Sequence, residues 1–313
     1  MLRALGLGDF LTGVPAYRAL RRAFPRARLY LAAPAALADL VPFTGAIDDL
    51  LPTGELEPIA WRGPAPAVAV DLHGRGPASH RLVSALHPKR LIVFGGVHGG
   101  GFAGPAWRPG EHEVARWCRL CRESGIPADP RDLGLGVPAQ HAIWPGERQR
   151  PTLIHPGAAS GSRRWPVDRF AAVAKQLSRD GHQILITGSA HEHDLGVRLM
   201  RKAGLMPETA LAGHTSLAQL AALTATARLV ISGDTGMCHL AAASRRPSVA
   251  LFGPTPPSEW GPPAHQRHQV LWPAAPRYRG DPLAEQIDPV LAAVTVPDVL
   301  EAARRALTAN PAR

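Results

Sequence analysis

The chain has 313 residues, 45% of them hydrophobic, a formal charge of +10 and three cysteines. That length is too great for one ordinary core and divides into two domains of about 150 residues. No apolar run approaches the roughly 20 residues of a bilayer span, no signal-peptide pattern opens the chain, and three cysteines cannot build a disulfide framework. A cytoplasmic protein is expected. The basic residues are almost all arginine, with lysine only at 89, 175 and 202. They are scattered rather than interleaved with aromatics, so no nucleic-acid partner is expected. Such charge does suit phosphorylated substrates, or peripheral contact with anionic head groups at the inner membrane face.

Apolar runs alternate with helical patterns along the first half. Residues 2–5 read as the remnant of a strand, with Gly6-Leu7-Gly8-Asp9 as the turn after it. A helix is predicted from Leu11 to Phe24, ended by Pro25. Strands are predicted at 29–33, 47–51, 68–72 and 90–94, with helical segments at 35–41 and 78–85. Gly95 to Gly104 is a glycine-rich loop, and His112 to Ser124 an amphipathic helix. Cys118 and Cys121 lie one helical turn apart, with no second pair to complete a zinc site.

The proline-rich tract 127–151 marks the boundary, placed between domains 1–145 and 146–313. Beyond it the pattern predicts strands at 152–155, 183–187 and near Ala210, and helices at 167–180, 191–203 and 217–225. An apolar run then ends in Gly233-Asp234-Thr235-Gly236 and passes into a small-residue helix, Met237 to Ser244. A further strand, Ser248 to Phe252, ends in Gly253-Pro254-Thr255. Residues 262–289 read as irregular, and 296–307 as a closing helix. Two runs of alternating β and α imply an α/β protein of two doubly wound parallel sheets facing each other across a cleft.

The glycine turns at strand ends carry the chemistry. The helix starting near Thr235 offers free N–H groups and a positive dipole end, which suit a phosphate. Asp234 would repel that phosphate and is better suited to accept hydrogen bonds from sugar hydroxyls. A phosphate site beside a hydroxyl acceptor suggests a nucleotide sugar. The loop after the 152–155 strand supplies Ser160, Ser162, Arg163 and Arg164, and arginine pairs bidentately with phosphate; a solvated surface loop is the other reading. Thr187-Gly188-Ser189 ends the next strand, and Glu192 opens the following helix. Glu192 could hold ribose hydroxyls or simply complement a helix dipole. His239 is either a phosphate or sugar contact or a core histidine. Asp9 is either a helix cap or a base with an oxygen free for a proton. There is no metal triad and no DxD arrangement, and His191-Glu192-His193 is too closely spaced to put both histidines on one helix face. No metal or cofactor is expected, so Arg164 and the helix after Asp234 would stabilise a departing diphosphate.

Taken together, GLGDFLTGVPAYRALRRAFP (6–25), VDLHG (70–74), IHPGAASGSRRWPVDRF (154–170), ITGSAHE (186–192), GHTSLAQLAAL (213–223), SGDTGMCHLAAA (232–243) and ALFGPTPPSEWGP (250–262) resemble the ADP-heptose:lipopolysaccharide heptosyltransferase family. The resemblance runs nearly end to end. It implies the GT-B fold, with acceptor mainly in the first domain and nucleotide sugar in the second, and metal-independent transfer with inversion. It makes Asp9 the catalytic base. Asp234, Thr235, Gly236 and His239 become donor-sugar and phosphate contacts, with Arg164, Ser160 and Ser162 facing the diphosphate. Glu192 becomes a ribose contact, and Thr215 lies near the base. The expected partners are ADP-heptose and a cell-envelope glycan or glycolipid acceptor. Another nucleotide sugar serving a secondary metabolite, or a non-catalytic binding protein, are the alternatives. The family's first strand is longer than the few residues before Gly6, so the native start is expected upstream or the strand is short.

Overall fold

The computed structural model describes residues 1–96, 99–137 and 150–309. The chain divides into two compact units, Met1–Gly136 and Val137–Arg313. The boundary expected at 145/146 lies outside the described residues.

The first unit runs α1 (Leu7–Ala23), β1 (Tyr30–Ala33), β2 (Asp49–Pro52), β3 (Val68–Val70), α2 (Ala78–Ser84), β4 (Arg90–Ile92) and α3 (Glu113–Glu123). β1 pairs in parallel with β2, and β3 with β4. Leu2 joins the pairs, bridging in parallel to Ala32 on one side and Asp71 on the other. Its N–H donates to Val70 O at 2.9 Å, while Arg3 N donates to Ala32 O at 2.9 Å. Three residues therefore act as the central strand, and the chain order across the unit is 3-2-1-4-5. Leu2, Ala4, Ala32, Ala69 and Val83 pack around it.

α1 starts four residues before its predicted beginning. Gly6, extended at φ −72° and ψ −179°, is its N-cap, and Phe10 N donates to Gly6 O at 3.0 Å. The Gly-Leu-Gly-Asp stretch looked like a turn because of its glycines. It is instead a helix entrance, where glycine caps acceptably and an acid in the first turn meets the positive dipole end.

The second unit contains β5 (Thr152–His155), α4 (Val167–Arg179), β6 (Ile184–Ile186), α5 (His193–Ala203), α6 (Leu217–Thr226), β7 (Leu229–Gly233), α7 (Gly236–Ala243), β8 (Ser248–Leu251), α8 (Pro257–Trp260), β9 (His268–Leu271), α9 (Pro289–Ala293) and α10 (Val296–Thr308). All sheet pairings are parallel, in the order β6-β5-β7-β8-β9. Ala210 adds a parallel bridge outside β6, as the short apolar segment there predicted. By chain position the order is then 3-2-1-4-5-6, which reverses between β5 and β7. Parallel sheets bind ligands outside the strands' carboxyl ends at such a reversal.

β7 and β8 are buried along their whole length, as continuous apolar runs in a covered parallel sheet should be. α4 buries Phe170, Val173, Ala174 and Leu177, the i, i+3, i+4, i+7 stripe of a helix with one apolar face. Trp165 locks the closing segment, its Nε1 donating to Val294 O at 3.0 Å. β9 corrects the reading of 262–289 as irregular. Its four residues are half-buried at the sheet edge beyond β8, and proline on both sides hid so short an edge strand.

Candidate functional site

The reversal point of the second unit lies between the ends of β5 and β7, and the two loops there are tied together. Arg163 Nη1 donates to Asp234 O at 3.4 Å, and its Nε donates to Ser160 Oγ at 3.2 Å. Asp234 is 6% exposed, and its N–H donates to Leu251 O at 3.0 Å, which anchors the turn to β8. Thr235 is the N-cap of α7, its Oγ1 accepting from Met237 N at 3.3 Å. Gly236 is the first helical residue, and its N–H lies at the positive end of the helix. His239, one turn on, is buried with its ring centroid 5.9 Å from Trp260.

The two serines serve a local purpose in this state. Ser162 is buried, and Ser160 Oγ lies 3.1 Å from Ser162 Oγ while donating to Pro282 O at 2.6 Å. Ser162 N donates to Ala284 O at 2.8 Å, and Asp288 N to Ser162 O at 3.2 Å. The segment 278–288 is thus stitched onto the 160–163 loop, and Tyr278 reinforces it by donating to Asp288 Oδ2 at 2.8 Å. Nothing in the sequence marked this contact, which spans more than 120 residues of chain. Arg164 is exposed, with Nε donating to Ala158 O at 2.8 Å.

Thr187, Gly188, Glu192 and Thr215 gather beside the same strand ends. Thr187 Oγ1 lies 3.1 Å from His155 Nδ1, and burial holds the His155 imidazole below its usual range. Gly213 N donates to Gly188 O at 3.0 Å, which brings the loop carrying Thr215 against the end of β6. Glu192 closes a capping box: its Oε2 accepts from Ser189 N at 2.7 Å and Ser189 Oγ at 2.9 Å. This capping role is a local one that neither reading of Glu192 from the sequence had named. A Cβ added to Gly157 would overlap the Glu192 carboxylate, so that carboxylate lies directly over the 156–158 turn.

In the first unit, Asp9 is the third residue of α1 and not its cap. Its Oδ1 is 3.5 Å from Arg3 Nη2, and a quarter of the side chain is exposed. Burial raises its carboxyl above the ordinary range, Glu113 adds to that, and Arg3 and His73 oppose it. The same strand edge carries a fully buried pair, with His80 Nδ1 2.5 Å from Asp71 Oδ2. Asp71 Oδ1 accepts from His73 N at 2.7 Å.

Cys118 and Cys121 are free and buried, and burial pushes both thiols up to about 12. Among the described residues no group of three or more His, Cys, Asp or Glu could hold a metal ion. None of the described helices is long and apolar enough to cross a membrane.

The dinucleotide-type sheet order, with a capped helix and the Arg163-bearing loop meeting at its reversal point, defines the second unit as a doubly wound α/β domain. Comparison with known proteins makes this specific. The family model for glycosyltransferase family 9 (heptosyltransferase) matches residues 105–281. Lipopolysaccharide heptosyltransferase 2 of Escherichia coli (strain K12) is 27% identical over 316 residues, covering 85% of each chain. Its namesake in Salmonella typhimurium is 33% identical over 182 residues, half of each chain. The solved structure of E. coli ADP-heptose lps heptosyltransferase II superposes with a TM-score of 0.77 at 24% identity, covering 99% of this chain and 98% of that one. The chain belongs to glycosyltransferase family 9, the heptosyltransferase family. The GT-B class of α/β fold read from the sequence is the fold it has.

Proposed function

We propose that this enzyme transfers heptose from ADP-heptose to a lipopolysaccharide-core or related envelope acceptor, with inversion and without a metal. The observation that carries this reading is the second unit's reversal point, where α7 opens on Gly236 beside Asp234 and Arg163 ties in the 160–164 loop. Phosphate suits the N-terminus of α7 together with Arg164, Ser160 and Ser162. Sugar hydroxyls suit Asp234, and His239 lies one turn behind them. Thr187, Gly188, Glu192 and Thr215 take the nucleoside, Glu192 through its Oε1. The relatives' names, heptosyltransferase and ADP-heptose, support the donor and the acceptor class. Residues 146–313 then form the donor domain and 1–145 the acceptor domain, in a cytoplasmic protein working at the inner membrane face.

Asp9 is the base in this reading. It takes the proton from the acceptor hydroxyl as that oxygen attacks the anomeric carbon. The bond from that carbon to the phosphate oxygen breaks, and ADP leaves with the electron pair. Its growing charge falls beside Arg164 and the helix N–H groups, where fixed positive groups stabilise it. A carboxyl raised by burial is a stronger base once ionised, and Asp9 is open enough to be reached.

Calorimetric titration with ADP, GDP, UDP, TDP and ADP-heptose, with Mg²⁺ and with a chelator, tests the donor half. Selective ADP and ADP-heptose binding that ignores the chelator is the expected result. Preference for another nucleotide discards heptose, and loss of turnover with chelator discards metal independence. Asp9→Asn should bind donor normally and lose transfer by about 10²-fold or more.

A further inference from the structure

Arg3 is the most heavily engaged buried charge in the first unit. It is 0% exposed. Its Nε donates to Asp9 O and its Nη1 to Leu72 O. Its Nη2 reaches Thr12 Oγ1 at 2.9 Å, Glu113 Oε1 at 3.0 Å and Asp9 Oδ1 at 3.5 Å. Thr12 Oγ1 in turn donates to Asp9 O at 2.9 Å, closing a ring around the first turn of α1. The guanidinium also lies 4.9 Å from the centre of the Trp117 ring.

Burying an arginine only to fill space would be costly, since a hydrophobic residue packs there without desolvating a charge. The pairing pattern indicates a different purpose. Glu113 is held from two further sides, by Trp117 Nε1 at 2.7 Å and by Arg116. Its charge is thus met by Arg116 as well, so the Arg3 charge is divided between Glu113 at 3.0 Å and Asp9 at 3.5 Å. The contact to Asp9 is the longest of the three Nη2 contacts. It orients the carboxylate without enclosing it, and leaves that group able to accept a proton.

We propose that Arg3 is the positioning residue of the catalytic base, clamping the main chain of Asp9 while its guanidinium, shared with Glu113, sets the charge around the Asp9 carboxylate. This rests on the reading of Asp9 as base. Among the described residues, the groups facing Asp9 are Arg3 from the first strand, Glu113 from α3, Tyr17 from its own helix and His73 after β3. Of these Arg3 and Glu113 act in opposite directions, so their removal has opposite consequences. Loss of the Arg3 charge disfavours the carboxylate and moves the acid limb of activity to higher pH. Loss of the Glu113 charge moves that limb to lower pH.

The test is the pH profile of kcat/KM for ADP-heptose and a core oligosaccharide truncated in its heptose region, with Asp9 also titrated by carboxyl ¹³C NMR. Arg3→Met should shift both limb and titration up by roughly half to one unit, and Glu113→Gln should shift both down by a similar amount. Arg3→Lys keeps the charge but not the fork, so its limb should stay while kcat falls roughly 10-fold or more. Donor affinity by calorimetry should stay within about twofold throughout, which a general loss of structure would not allow. If Arg3→Met fails to fold, Glu113→Gln and Arg3→Lys carry the test. Shifts of the same sign, or none, overturn the proposal while Asp9→Asn remains inactive. An active Asp9→Asn enzyme with an unchanged acid limb overturns the base assignment itself.

Discussion

Gly161→Ala offers a test in which the sign of the effect decides. Gly161 opens a short 3-10 turn and does not occupy the left-handed region. On backbone grounds alone, alanine there should stabilise by about 0.4–1 kcal/mol by restricting the unfolded chain. The packing predicts the opposite. The new methyl would overlap the main-chain oxygen of Glu285, and a carbonyl cannot rotate away as a side chain can. The 281–288 segment must retreat by about 2 Å to restore ordinary contact. That movement breaks the Ser162 N to Ala284 O bond of 2.8 Å and the Asp288 N to Ser162 O bond of 3.2 Å. Ser162 is buried, so its N–H is left without a partner at about 1–3 kcal/mol, and the residual crowding adds about 1–3 kcal/mol. After the backbone gain is subtracted, a net loss of about 1–5 kcal/mol remains. For a domain of this size that lowers Tm by about 2–20 °C. Thermal and urea unfolding of the two proteins measure it. An unchanged or raised Tm would show that the 278–288 segment does not rest on the 160–163 loop as described.

Glu192→Gln preserves a capping box that glutamine can also close, so stability should change by less than about 0.5 kcal/mol, whereas Glu192→Ala should lose about 1 kcal/mol; a weaker affinity for ADP in both, measured by calorimetry, would separate ribose binding from capping. His268 is held down to about 4 by burial and by Arg267 and His265. Because its folded value lies below the unfolded one, its contribution is complete above about pH 6.5 and is lost as pH falls toward 4. Denaturant titrations should show the native protein losing on the order of 2 kcal/mol more than His268→Asn across that window, discounted for its partly open edge strand, and parallel curves would refute it. The Tyr17 hydroxyl is buried without a hydrogen-bond partner among the described residues, so Tyr17→Phe should leave unfolding unchanged or raise stability by up to about 1 kcal/mol. A loss beyond about 1 kcal/mol would mean the hydroxyl is bonded in solution.

The strands and helices were legible wherever a buried face imposed its period. β7 and β8 read correctly because central parallel strands are apolar along their length, and α4 because its stripe recurs at i, i+3, i+4 and i+7. β9 did not, since four half-buried residues among prolines give no period to detect. The start of α1 was misplaced for a related reason. Gly6 and Gly8 carry a turn signal, while the Arg3 guanidinium that fixes the Asp9 carbonyl comes from the neighbouring strand.

That difference between local and distant partners also separates the two carboxylates proposed for function. Asp9 and Glu192 each sit in a first helical turn, where any acid is favoured by the dipole. Sequence alone therefore offered each a structural reading beside a functional one: cap or base for Asp9, dipole complement or ribose contact for Glu192. Glu192 finds its partner three residues away in Ser189 and commits one oxygen to it. Asp9 has no such neighbour, because Gly6 at the cap has no side chain to answer it. Its ionic contact among the described residues comes from Arg3, whose charge Glu113 shares from 110 residues along the chain. Asp9 thus keeps the dipole contribution common to any first-turn acid but makes no capping contact to offset its burial. An acid held partly open in this way has the exposure that the base proposed above requires.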